Sequence, residues 1–314
     1  MTKILGLSFG RKMKNCEILV KQALKGAEAA GAEVAFLRTI NLRVDHCIAC
    51  GACSSGMRAG KQIKCVLKDD YAVIEEAILN ADAVLVGAPV YALAPVGQYK
   101  NFLDRFGPAH DRMALEAERA KREAAGTEPL DERNFKRRYI GYISVGGAHT
   151  QNWVSYGLTG MHLMGFSTWM KPIGHIDAYN MGYTGNPILD HDLMGRAYQL
   201  GEHIASAAQT KSEDVPWLGD PGTCPVCHLN HITLTGTTTV ECPFCGITGT
   251  LVADGDKVRV EFSPEQQARS RYTREGLQEH YLEIQGMGAV AAPKIAANKQ
   301  MLEEELKALE AYLA

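Results

Sequence analysis

The sequence predicts an α/β protein built on a doubly wound, five-stranded parallel sheet, with a small four-cysteine domain and C-terminal helices appended. Two observations carry this. Short, continuously apolar runs alternate with stretches of helical periodicity through residues 3–208. Eight of the nine cysteines fall into two quartets at metal-ligand spacing, one inside that alternation and one after it.

Residues 3–8 are an apolar run, the pattern of a strand buried on both faces. Residues 17–30 follow with Ile18, Leu19, Ala23, Leu24 and Ala27 at helical spacing, closed by Gly31. Residues 34–37 read as the second strand, and Asp69-Asp70 opens a helix through Leu79 with its acids at the positive end. Residues 83–88 are the third strand and 96–106 a helix; the Arg-, Lys- and Glu-rich stretch 108–137 reads as a solvated helix and loop. Residues 139–145, 153–164, 167–176 and 189–208 complete the alternation as strand, helix, strand and helix. Five strands alternating with helices fit a flavodoxin-like sheet, which holds its ligand beyond the carboxyl ends of the strands where strand order reverses.

Three loops fall at those ends. The first, Ser8-Phe9-Gly10-Arg11-Lys12-Met13-Lys14-Asn15-Cys16, offers helix N–H groups and three cations to a phosphate. The second, Ala88-Pro89-Val90-Tyr91-Ala92-Leu93-Ala94-Pro95, is a rigid turn able to lie along a flat ring. The third, Gly146-Gly147-Ala148-His149-Thr150-Gln151, lets backbone N–H groups approach a ring edge. Tyr91, His149, Trp153 and Tyr156 are the candidates for lining an acceptor pocket, with Tyr91 and His149 the candidates for catalysis.

Cys47, Cys50 and Cys53 are spaced as C-x2-C-x2-C, with Cys65 downstream in a loop spanning 45–68. That spacing wraps three thiolates around one 4Fe–4S cube, the alternatives being structural thiols or zinc. Cys224-Pro225-Val226-Cys227 and Cys242-Pro243-Phe244-Cys245 are paired knuckles around a Thr-rich hairpin, with a second hairpin turning at Asp254-Gly255-Asp256. This reads as a zinc ribbon, with a rubredoxin-like iron centre as the competing reading. His228 and His231 are read as surface residues rather than ligands, because four thiolates already fill the site. The domains are then 1–212 for the sheet, 213–262 for the ribbon and 263–314 for a helical tail. In the tail Leu302, Leu306, Leu309 and Leu313 form a stripe.

The three loops, with Gly97-Gln98, Lys100, Asp104-Arg105 and the run from Lys64 to Asp70, resemble the NADPH-dependent FMN reductase superfamily and within it the iron–sulfur flavoproteins. Ser8, Arg11 and Asn15 match the family's phosphate loop, while Cys16 stands where Thr or Ser is usual. The resemblance implies FMN held by Ser8, Gly10, Arg11, Asn15, Cys16, Pro89, Val90, Tyr91, Ala92, Gly146, Gly147 and His149. It also implies a nearby 4Fe–4S cluster and a homodimer or homotetramer.

A net charge of −3 over 314 residues gives no electrostatic case for nucleic acid. No apolar run reaches the roughly 18 residues of a membrane span, and the chain is expected in the cytoplasm. The expected function is an FMN-dependent oxidoreductase, carrying FMN, a 4Fe–4S cluster and zinc. It would pass electrons from NAD(P)H or a ferredoxin to a small organic or protein acceptor. The alternatives are a cluster-free NAD(P)H quinone or nitro reductase and a non-catalytic electron carrier.

Overall fold

A strand covered on both faces has no polar side to show, so its sequence is apolar throughout. This is how β1 (Lys3–Ser8), β3 (Ala83–Tyr91) and β5 (Tyr139–Val145) arise. The computed structural model describes residues 1–59 and 64–312. The chain continues from β1 through α1 (Asn15–Ala29), β2 (Glu33–Arg38), α2 (Ala52–Arg58) and α3 (Tyr71–Leu79) to β3. A two-residue β4 (Ala94–Pro95), α4 (Gly97–Ala109) and α5 (Arg112–Ala125) precede β5; α6 (Tyr156–Phe166), β6 (Lys171–Ala178), α7 (Met181–Thr184) and α8 (His191–Thr210) follow it. The main sheet runs β2-β1-β3-β5-β6, all parallel, with β4 paired antiparallel to the end of β3. This is the flavodoxin-like order, and it reverses between β1 and β3.

Alternate residues of each strand point to opposite faces. Leu5, Leu7, Val84, Val86, Ile140 and Tyr142 pack under α3, α4 and α6. Ile4, Ala83, Leu85, Tyr139 and Ile143 pack under α1 and α8. The second layer is tight: a Cβ on Gly201 of α8 would lie 1.7 Å from the Ala23 carbonyl oxygen of α1.

Three sequence expectations need correction. The fifth strand starts at Lys171 rather than 167, because α6 runs on to Phe166 and a turn closes with Met170 N–H donating to the Gly165 carbonyl. The sixth helix begins at Tyr156, after a short turn at Gln151–Trp153, rather than at 153. The insertion is not merely solvated. α5 buries Met113, Ala114, Leu115 and Glu118, while Arg112–Glu116, Arg119–Glu123 and Arg122–Glu118 pair one turn apart along it.

After α8, Leu218 N–H donates to the Ile173 carbonyl, and Leu218 bridges Gly174 in parallel, extending the sheet past its edge strand β6. A four-stranded antiparallel sheet follows, of β7 (Thr233–Leu234), β8 (Thr239–Cys242), β9 (Ile247–Asp254) and β10 (Lys257–Glu261). Its cysteines, with Phe244 and Ile247, join the same apolar cluster as Met161 and Met164 of α6. The compact unit runs from Met1 to Leu277, through α9 (Pro264–Ala268) and the start of α10 (Arg274–Ala297). Gln278–Ala314 form a second unit, holding the rest of α10 and α11 (Lys299–Glu310). Leu306 and Leu309 are exposed on α11, and Leu313 lies outside the described residues. Among the described residues no helix is long and apolar enough to cross a membrane.

Candidate functional site

The loop from β1 into α1 gathers cations around the first turn of a helix. Lys14, at the N-cap of α1, makes no side-chain cap, so the N–H groups of the first turn face outward among the exposed Arg11, Lys12 and Lys14. Glu17 sits in that turn with its carboxylate buried, where it would repel an anion. It is neutralised by Arg38 at 2.6 and 2.8 Å and Lys21 at 2.7 Å, and the Arg38 hydrogen bonds hold it down to about pKa 2. Ser8 and Cys16 are buried and lie 3.6 Å apart, and the Ser8 hydroxyl accepts from Gly10 N–H at 3.3 Å. Their side chains pack beneath the loop and shape its path. Burial pushes the Cys16 thiol up to about 12, so it remains protonated. A Cβ on Gly10 would fall 2.6 Å from that of Cys16, which ties the loop's path to a glycine. Asn15, half-buried, opens the helix.

The second loop leaves β3 through Pro89, Val90 and Tyr91, then turns at Ala92 (φ 48°) and Leu93 (φ 71°). Two consecutive non-glycine residues in the left-handed region are strained, and such strain collects at ligand clamps. The Leu93 carbonyl accepts from Tyr156 N–H at 3.1 Å, fixing the turn to the start of α6. Tyr91 is 56 % exposed and Trp153 63 %.

In the third loop the Gly146 N–H is already committed to the Ala178 carbonyl, and a Cβ there would strike Val154. Gly146 is thus a packing glycine, and Gly147 is the exposed one. His149 is exposed, with Nδ1 2.9 Å from Asn180 Oδ1 and its ring 5.2 Å from Tyr183. Tyr91, His149, Trp153 and Tyr156 all follow the carboxyl ends of β3 and β5, and all are open to solvent. A helix N-terminus with three cations, and exposed aromatic side chains on the neighbouring loops, fit the phosphate and the flat ring of FMN.

The cysteines of residues 47–65 line one small cavity of about 170 Å³, walled by Ile48, Val66 and Leu67. Ala49 (φ 50°) and Gly51 (φ 73°) curl the loop, and α2 begins at Ala52. Arg105 of α4 closes the base. Its Nε stands 3.2 Å from Cys65 Sγ, and Nη1 and Nη2 donate to Asp69 at 2.6 and 2.8 Å. Those bonds hold the Asp69 carboxyl down to about 2. Four thiols, apolar walls and one fixed cation suit an anionic iron–sulfur cube. The basic stretch before Cys65 lies partly outside the described residues, at 60–63.

In the ribbon the four Sγ atoms of Cys224, Cys227, Cys242 and Cys245 lie within 4.8 Å of one another, all buried. Two edges, Cys224–Cys245 and Cys227–Cys242, measure 3.7 Å. A tetrahedron of thiolates about 2.3 Å from one ion has edges of about 3.8 Å, so the set fits a single metal. His228 and His231 stand outside that set, but they are not idle surface residues. His228 stacks on Trp217 at 4.0 Å and 12°, and His231 Nδ1 meets Thr159 Oγ1 at 2.7 Å.

Both histidines face a cavity of about 470 Å³ between the ribbon and the edge of the sheet. Its sheet side carries Gln151, His175, Asp177 and Arg196, of which the sequence reading had picked out only Gln151, as part of the third loop. Asp177 Oδ2 accepts from Gln151 at 3.0 Å, the buried Ser144 hydroxyl also bears on the carboxyl, and burial raises it above its ordinary range. His175, bonded to the buried His162 at 3.2 Å, is pushed down to about 4 by burial. The available signal was His175-Ile176-Asp177, which sets two titratable groups on one face of a strand.

Comparison with known proteins bears on this geometry. Residues 2–168 match the family model described as NADPH-dependent FMN reductase. The chain belongs to that family. This reductase is 30 % identical over 300 residues to flavone synthase cfoJ of Aspergillus candidus, covering 92 % of this chain and 91 % of that one. It is 28 % identical over 203 residues to an iron–sulfur flavoprotein of Archaeoglobus fulgidus, covering 64 % and 77 %. A solved flavone reductase superposes with a TM-score of 0.82 at 25 % identity, covering 100 % of this chain and 98 % of that one. The reductase is therefore a flavin-dependent enzyme of flavodoxin-like fold, and its family supports FMN as the flavin.

Proposed function

We propose that this FMN reductase catalyses NAD(P)H-linked reduction of the conjugated carbon–carbon double bond of a flavone-type aromatic ketone. The observation that carries this reading is the strained Tyr91–Ala94 turn and uncovered aromatic rim beside the α1 cradle. It is supported by full-length likeness to a flavone synthase and a flavone reductase.

FMN, when bound, supplies two-electron hydride transfer with the option of releasing electrons singly. Arg11, Lys12, Lys14 and the first turn of α1 bind its phosphate. Pro89, Val90 and Tyr91 support the ring, and Tyr156, tied to Leu93, holds that turn in place. In balance, the enone gains a hydride at its β carbon and a proton at its α carbon, while NAD(P)H and one proton are consumed.

A second arm of the proposal is carried by the four-thiol cavity of Cys47, Cys50, Cys53 and Cys65. These residues would hold a 4Fe–4S cluster, a one-electron port through which a ferredoxin-type donor could charge the flavin. The ribbon cysteines would hold zinc, which supplies structure rather than electrons.

The test is anaerobic purification followed by flavin, iron, sulfide and zinc analysis, and then NADPH oxidation with flavone as acceptor. One FMN per chain and formation of the 2,3-dihydro product by mass spectrometry are expected. NADPH oxidation that proceeds with quinones but never with flavones would overturn the substrate reading. Iron and sulfide absent even after reconstitution would remove the cluster arm alone.

A further inference from the structure

The cavity of about 470 Å³ is large enough for a three-ring organic molecule, and two parts of the chain build it. One wall is Gln151, Asn152 and Ser155, which continue from the third flavin loop, together with Asp177 and Tyr179 at the end of β6 and Arg196 of α8. The other wall is the ribbon's first knuckle, from His228 to His231.

The two walls offer different chemistry. On the sheet side, Asp177 borders the cavity, its Oδ2 accepting from Gln151 at 3.0 Å and its carboxyl also facing the Ser144 hydroxyl. Arg196 lines the same wall and bears on Asp177 through space. It is a cation placed to meet a carbonyl or phenolate oxygen. On the ribbon side the rings are pinned. His228 is stacked on Trp217 and bonded through Nδ1 to the Pro221 carbonyl at 2.7 Å. His231 is bonded to Thr159 and lies 5.5 Å from the Tyr156 ring. Flat faces on one side and the Arg196 cation beside Asp177 on the other suit a flat, hydroxylated aromatic molecule.

We propose that this cavity is the substrate subsite, that it takes a polyhydroxylated aromatic ketone, and that the metal-held ribbon is one of its walls. The inference rests on the flavone reading above and adds the place and the selectivity. The ribbon metal then acts on substrate binding without touching substrate, by holding His228, Asn230 and His231 in register.

The experiment uses the full FMN-loaded chain and apigenin, a trihydroxylated flavone. Affinity is read from perturbation of the flavin absorbance, beside two controls: flavin content and NADPH-driven ferricyanide reduction. Arg196→Gln and His231→Ala are each expected to weaken apigenin about tenfold or more, with both controls unchanged. Removal of the ribbon metal with a thiol reagent and chelator is expected to weaken apigenin while FMN stays bound. Where a variant fails to fold, the metal-removal arm on the unaltered chain decides. Unchanged affinity in the folded variants and after metal removal would overturn the subsite while leaving the flavone reading intact. An unaltered enzyme that reduces ferricyanide but neither binds nor reduces apigenin would overturn both.

Discussion

Arg105 Nε lies 3.2 Å from the sulfur of Cys65, while the same guanidinium grips Asp69 with two further hydrogen bonds. One side chain of α4 thus orders the last thiol of the cysteine loop from a buried ion pair. Its plane also lies 4.4 Å from the centre of the Tyr71 ring. Arg105→Met is expected to strand the Asp69 carboxylate in the core and to destabilise the protein by roughly 3 to 5 kcal/mol. Urea unfolding measures this, and reconstituted iron and sulfide per folded chain should fall with it.

Gly10→Ala is expected to push the phosphate loop away from Cys16, because the new Cβ would sit 2.6 Å from its neighbour. FMN affinity should drop by about tenfold or more, equal to about 1.4 kcal/mol. Fluorescence titration of the apoprotein with FMN checks it. Unchanged affinity would move the phosphate away from this loop.

Gly201→Ala tests packing alone. Its Cβ would meet the backbone of α1 at 1.7 Å, where no flexible side chain can give way. A loss of about 3 kcal/mol or more in unfolding free energy is expected.

Acid should weaken the fold through His175. Burial lowers its imidazole from 6.5 to about 4, so below pH 6.5 the unfolded chain takes up the proton more readily than the folded one. The stability contributed by the neutral ring is complete above pH 6.5 and is lost as pH falls toward 4. This single group accounts for about 3 kcal/mol across that window. Thermal denaturation at stepped pH should show the slope, and His175→Gln should flatten it.

The sheet was legible because strands buried on both faces leave no polar residues in their runs, as in residues 83–88. The loops after β1, β3 and β5 were legible from the strand–helix alternation. What escaped were groups joined across the sequence. Asp69 reads as an acid favouring a helix start, and its partner Arg105 is 36 residues away. The cavity between the ribbon and the sheet edge joins Asp177 to His231 and Arg196, a set that no local pattern announces. In α5 the density of charge hid Met113 and Leu115, because i,i+4 ion pairs and a narrow apolar stripe share one short helix.

The bridge between Leu218 and Gly174 has a practical consequence for anyone trimming the chain. Without the segment after α8, the outer backbone groups of β6 would stand bare, and a bare parallel edge recruits other strands. A shortened version ending near residue 212 would resemble a minimal flavodoxin on paper. In the test tube it should self-associate into insoluble material, because the ribbon segment doubles as the sheet's selvedge.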